Sequence, residues 1–239
     1  MALFRHHPVS TAAPILAGVC LAALAASTAN AANAVAAIAP PPLCSPAAYA
    51  YAGEYTRAPA AGIEADLSAL GLATVPYGHV AAWIGVGSAT AGPGGEQDWL
   101  QAGLDTVAGS GDELYAEIAQ PGQPIRHVTL AANVAPRSSY RLAVVRVAHR
   151  PNVWQVTLGG APATEPVYLP SSRGFEPMAM SESWNGGQTA CNGFSYRFDG
   201  LRVAGKTGAW KPLTNPGTLS DKGFQITSRT AAGFTAGSD

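Results

Sequence analysis

Nine stretches of this chain alternate apolar and polar side chains with a period of two, and glycine, proline, asparagine or serine closes off each of them. They run over Ala82–Val86, Trp99–Asp105, Leu114–Ile118, His127–Ala131, Leu142–Val147, Val153–Leu158, Met178–Trp184, Phe194–Phe198 and Phe224–Thr227. Successive side chains of a strand point to opposite faces, so this period predicts strands with one face in a core, and the bounding residues are those that tight turns need. With 27 glycines and 19 prolines against 12 % charged residues, the chain has the makings of short strands and many turns rather than of amphipathic helices. Only Ala61–Leu70 (AGIEADLSAL) leans towards helix, and the residues just after it, Leu72–Pro76, read as extended. The predicted fold class is all-β, with two antiparallel sheets packed face to face.

The alternation also sorts side chains between faces. In Trp99–Asp105 the even positions are apolar, while Trp99, Gln101 and Asp105 share the other face. Ile84 and Val86 oppose Trp83, and Leu114, Ala116 and Ile118 oppose Tyr115 and Glu117. Three strands thus each offer one core face and one face holding an aromatic ring beside an amide, an acid or a glycine. A sandwich satisfies all three if those second faces line a concave outer surface.

The N-terminus carries Arg5, an apolar run over Ile15–Ala26 and then Ala29-Asn30-Ala31, which together predict a signal peptide over 1–31. The run is short for a bilayer span and no second one follows, so no membrane span is expected. Residues 32–42 are rich in Ala and Pro and read as a leader or linker, followed by a single domain over 43–239 that is secreted or periplasmic and monomeric. The net charge of −1 becomes one unit more negative once Arg5 is removed, which gives no electrostatic footprint for nucleic acid. Cys44 and Cys191 remain after cleavage, and in an oxidising compartment they are expected to pair.

Several chemistries find no support in the residue pattern. His79, His127 and His149 lie on separate segments with no i, i+4 pair and no clustered cysteine, so neither a metal site nor any other cofactor is expected. Gly92–Gly95 lacks the lysine and helix that phosphate binding needs, and reads as a loop. There remain Gln101 and Glu182. A carboxylate can deprotonate a water, and a primary amide can donate a hydrogen bond to the oxyanion formed at an attacked carbonyl. By pattern alone, a strand-borne Gln is equally a solvated face residue.

The order of motifs adds to this. Ala82-Trp83-Ile84-Gly85-Val86-Gly87, then Trp99-Leu100-Gln101-Ala102-Gly103-Leu104-Asp105, then Tyr115-Ala116-Glu117 resembles the core of the eqolisins, the glutamic peptidases with a Gln and Glu dyad. Tyr51–Tyr55 resembles the opening segment of that family, and Ser181-Glu182-Ser183-Trp184 stands where the family carries its glutamate. The resemblance implies a concanavalin-like (jelly-roll) sandwich. It also implies Gln101 as the oxyanion-polarising amide and Glu182 as the general base, with Trp83, Tyr115 and Glu117 lining the substrate groove; Trp99 and Trp184 are further candidates for substrate contact. This chain departs from the family in placing Val86 where an acidic residue usually follows the Trp-strand glycine, and Tyr51 where the opening Trp stands. Glu176, six residues before Glu182, is a rival base if the strand is unbroken, although Pro177 is expected to limit pairing there.

Two functions follow as expectations. One is an acid endopeptidase acting on polypeptides without a cofactor; the other is a non-catalytic module binding glycan, or a partner in the cell envelope, through Trp83, Trp99, Tyr115 and Trp184. The first needs Gln101 and Glu182 on one face; the second needs exposed, coplanar rings.

Overall fold

A computed structural model describes residues 49–87, 98–170, 175–188 and 191–238. Segments 1–31 and 32–42, the Gly92–Gly95 loop and the expected Cys44–Cys191 bridge lie outside the described residues, the last because Cys44 does. Among the described residues there are sixteen strands and no helix long and apolar enough to cross a membrane.

The first eight strands are β1 (Tyr49–Tyr55), β2 (Gly62–Ala69), β3 (His79–Gly87), β4 (Trp99–Val107), β5 (Asp112–Ala119), β6 (Arg126–Ala132), β7 (Tyr140–Arg146) and β8 (Val153–Leu158). The short pairs β9 (Ala161–Pro162) and β10 (Val167–Tyr168) follow, then β11 (Glu176–Trp184), β12 (Ser195–Ala204), β13 (Trp210–Pro212), β14 (Gly217–Ser220), β15 (Phe224–Thr230) and β16 (Gly233–Ser238). One sheet has the order β14-β1-β11-β3-β4-β5-β6, and the other β10-β8-β7-β2-β12-β16-β15, with β13 beside β12 and β9 beside β8. Every pairing is antiparallel. This is the predicted two-sheet sandwich.

All nine alternating stretches lie in strands apart from their end residues Val147 and Phe194, and the faces sort as the alternation demanded. Val80, Ala82, Ile84 and Val86 of β3, Leu100, Ala102 and Leu104 of β4, and Leu114, Ala116 and Ile118 of β5 enter one core with Ile63 and Leu67 of β2 and Phe198 of β12. The opposite face of the first sheet carries a second, smaller cluster of Ala81, Trp83, Tyr115 and Met180.

Ala61–Leu70 is the correction. Gly62–Ala69 forms β2, paired on one side with β7 and on the other with β12. Its Ala, Glu and Leu content favours helix, but Ile63, Ala65 and Leu67 enter the core in alternation with Glu64 and Asp66 on the other face, and pairing on both edges overrides a propensity worth only tenths of a kcal/mol per residue. Pro177 also departs from expectation. β11 runs unbroken from Glu176, because Pro177 sits near its end, where only its carbonyl is asked to pair and accepts from Thr56 N–H at 3.0 Å.

Gly103 shows how tightly the first sheet is packed at its centre. A Cβ there would sit 2.0 Å from the Ala82 carbonyl oxygen and 2.8 Å from Trp83 Cα, both backbone atoms of the neighbouring strand. We expect Gly103→Ala to cost about 1–3 kcal/mol by forcing β3 and β4 apart, measured by chemical denaturation. Wild-type stability would show that the strands do not approach this closely.

Candidate active site

The outer face of the first sheet is a lattice whose rows follow from strand register. Tyr51, Glu182, Ala81, Asp105 and Glu113 form one row across β1, β11, β3, β4 and β5. The next row holds Gly53, Met180, Trp83, Gly103 and Tyr115, and the one beyond it holds Tyr55, Met178, Gly85, Gln101 and Glu117. Gln101 and Glu182 therefore share a face, two strands and two rows apart, and no direct hydrogen bond joins them. The predicted Trp83, Trp99, Tyr115, Glu117 and Trp184 lie on this same face. Glu176 does too, but it pairs with Gly87, six residues along β11 from Glu182 and well away from the cleft described next.

A cavity of about 300 Å³ opens on the Glu182 row, lined by His79, Ala81, Asp105, Val107, Tyr115, Glu117, His127 and Glu182. Glu182 is buried and both of its oxygens are held: Oε1 lies 3.0 Å from His79 Nε2, and Oε2 accepts from Trp83 Nε1–H at 2.9 Å. These partners, His79 and Trp83, are its diagonal neighbours on β3. Each oxygen keeps a second lone pair for a water.

Gln101 is not among the residues that line this cavity, but its amide nitrogen donates to two that are, Glu117 Oε2 at 2.9 Å and the Tyr115 hydroxyl oxygen at 3.3 Å. Tyr115 is buried, its ring stacks on His127 with centroids 5.2 Å apart, and its hydroxyl lies within the influence of the Glu182 charge. It therefore contacts Gln101 directly and Glu182 only through its charge.

Charge in this cleft is unevenly placed. Burial pushes the Glu117 carboxyl up to about 7, helped by the Glu182 charge and opposed by His127 and His79. Burial likewise takes Asp105 up to about 6, with Glu113 adding and the two histidines subtracting. For His79 burial disfavours the imidazolium, but the hydrogen bond and charge of Glu182 together outweigh it and the pKa is raised. Burial, and then Glu182 and Glu117, drive the Tyr115 phenol well above its ordinary value, so it stays a neutral donor. In acid the cleft thus gathers neutral Glu117, neutral Asp105 and a protonated His79 around Glu182.

A folded-state pKa raised from 4.5 to about 7 means that Glu117 favours the native state fully below about pH 4.5 and loses that contribution as pH climbs through 7. Replacing it by Gln, which keeps an acceptor for Gln101, removes the loss. We expect Glu117→Gln to gain on the order of 1–2 kcal/mol over the native protein at pH 8 and nothing at pH 4, read from denaturant midpoints at the two pH values. A difference that does not change with pH would mean that the acid is not buried.

The sequence puts Asp105 on the face of Gln101 without giving it a role, and it gives none to His79 or Asn192. Asn192, buried just before β12, donates to Ser183 Oγ at 3.0 Å and to the carbonyls of His79 and Trp184 at 3.4 and 3.5 Å, bracing the ends of β3 and β11. Gly78 lets the chain turn into His79: its φ is +70°, and a Cβ would meet the Trp184 carbonyl oxygen at 1.8 Å. The alternation of His79 with the core residues Val80, Ala82 and Ile84 was the available signal for a cleft role.

Fold and cleft define a class: a concanavalin-like β-sandwich with a carboxylate-centred cleft on its outer sheet face. Two solved structures of scytalido-glutamic peptidase share this fold. One, with a transition state analog inhibitor, matches at TM-score 0.56 and 13 % identity, and the other, with a peptide-based transition state analog, at 0.53 and 14 %; each comparison covers 80 % of this chain and 98 % of that one. SCP-B, a member of the eqolisin family of peptidases in complex with the tripeptide Ala-Ile-His, gives 0.48 at 14 % identity over 79 % of this chain and 96 % of its own. At such identities the likeness speaks for the fold. No protein-family model and no curated protein sequence matches the chain.

Proposed function

We propose that the protein is an exported endopeptidase that hydrolyses peptide bonds at acidic pH, with Glu182 as general base. The observation that carries this reading is the Glu182 carboxylate, held through both oxygens by His79 and Trp83 and opening onto a cleft of peptide-binding size. An extended polypeptide lies across β11, β3, β4 and β5, over Trp83 and Tyr115. Glu182 takes a proton from a water whose oxygen attacks the scissile carbonyl carbon. The negative charge that grows on the carbonyl oxygen meets the Tyr115 hydroxyl, which accepts from Gln101 and keeps its own hydrogen to donate, and the Gln101 amide, which gives up its bond to Glu117 to reach it. The proton then passes from Glu182 to the leaving nitrogen, the C–N bond breaks, and a carboxylic acid and an amine leave.

Acid suits this arrangement because Glu117 and Asp105 are then neutral and add no negative charge beside the oxyanion. The sandwich fold shared with scytalido-glutamic peptidase supports the same reading. A glycan-binding role is the weaker one, since Trp83, Trp99 and Tyr115 are all buried and offer no open ring face for a sugar to stack on. The test is incubation of an unfolded protein substrate with the purified chain from pH 2 to pH 8. Peptide fragments that accumulate below about pH 6 support the proposal, and an intact substrate at every pH ends it.

A further inference from the structure

Beside the Glu182 carboxylate the same cavity is lined by Asp105 and His127, each of which adjoins Glu113. Asp105 on β4 pairs directly with Glu113 on β5. His127 on β6 starts opposite Glu117, but its ring lies flat on the Tyr115 ring, 5.2 Å between centroids and 5° from parallel, which carries Nε2 to within 2.6 Å of Glu113 Oε1. One ligand-type atom from each of Asp105, Glu113 and His127 falls within 4.8 Å of the others.

An independent feature points to a missing partner. Asp105 is 6 % exposed, and its Oδ1 is buried without any hydrogen-bond partner. A buried carboxylate oxygen left unpaired costs several kcal/mol, so a native structure that keeps one has something to set against it. The surroundings are arranged as outer-sphere support: the Thr129 hydroxyl donates to Glu113 Oε2 at 3.1 Å, leaving Oε1 for the cluster, and Tyr115 fixes the plane of the imidazole.

We propose that Asp105, Glu113 and His127 form a binding site for one divalent transition-metal cation of the Zn²⁺ class, at the edge of the cavity that Asp105, His127 and Glu182 line. Two carboxylates and an imidazole are the donor set of Zn²⁺, Co²⁺, Mn²⁺ and Fe²⁺ rather than of Ca²⁺ or Mg²⁺, which favour oxygen alone. The cation draws Asp105 Oδ1 into its coordination sphere and offsets the charge of the two acids. Its remaining positions face the cavity, open to water or to a carbonyl or carboxylate of a bound molecule. The site stands independently of the peptidase reading, and it reverses the expectation from sequence: ligands 8 and 14 residues apart on three strands leave no spacing motif to find.

The test uses the untagged protein, stripped with a chelator and titrated at pH 7 with Co²⁺, followed by its visible absorption, and with Zn²⁺ by calorimetry. One equivalent is expected, together with a rise in melting temperature. Asp105→Asn and His127→Gln are each expected to weaken binding at least about tenfold, while Glu182→Gln leaves it within about threefold. His127 is largely exposed on an outer strand, so its variant keeps the test alive should Asp105→Asn fail to fold. Absence of binding at millimolar metal overturns the proposal, as does binding that survives both ligand substitutions.

Discussion

Glu182→Gln is expected to lower the rate of peptide cleavage at acid pH by about 10²–10⁴-fold while leaving the melting temperature within a few degrees of the native protein. The substitution is nearly isosteric, and the new side chain can still accept from Trp83 Nε1–H through its carbonyl oxygen, so packing is preserved. What it removes is the ability to take a proton from water. Gln101→Ala is expected to cost about 10²–10³-fold, the usual loss for one oxyanion donor, and to do so mainly in kcat. Because Gln101 also holds the Tyr115 hydroxyl, Tyr115→Phe tests whether the phenol shares that role: a further loss in the Tyr115→Phe single variant of similar size supports two donors, and native rates would leave Gln101 alone. Undiminished cleavage by Glu182→Gln with its fold intact would remove the proposed base altogether.

The largest effect on stability is expected in the other sheet. Phe198, fully buried on β12, stacks on Phe234 of β16 with centroids 4.4 Å apart. β12 is paired by β2 on one side and by β16 on the other, so the backbone around a truncated ring has little freedom to collapse into the space. Phe198→Ala is expected to cost about 3–5 kcal/mol, or roughly 6–20 °C in melting temperature for a chain of this size. At temperatures where the variant is folded, its cleavage rate stays within about twofold of the native one, because the cleft lies on the far face of the first sheet. A loss below about 1 kcal/mol would mean that the two sheets are not packed through this ring.

What could be read before folding was what is local. Leu100, Ala102 and Leu104 against Trp99, Gln101 and Asp105 is a statement about one strand, and strand geometry alone turns it into two faces. Ile63, Ala65 and Leu67 against Glu64 and Asp66 said the same of β2, but helix-favouring composition masked it, and the pairing with β7 and β12 that decides the matter is made by residues far along the chain.

The cleft was less legible for a related reason. Gln101 and Glu182 were visible as candidate residues, but their common face, and the partners that give Glu182 its chemistry, His79 and Trp83, come from β3, the strand that lies between β11 and β4. Burial of Trp83, Trp99 and Tyr115, which denies a sugar their ring faces, is set by neighbouring strands and not by the segments that carry them. The convergence of Asp105, Glu113 and His127 depends on a register shift between Leu114 and Tyr115.

By itself, then, the amino-acid sequence determined the all-β class, the positions of most strands and the face each side chain takes, because these follow from a period of two within single segments. Strand order, register and the depth of the cleft were decided only in the tertiary structure, because they arise from pairing between distant segments, where shared rows and the charges of neighbours act together.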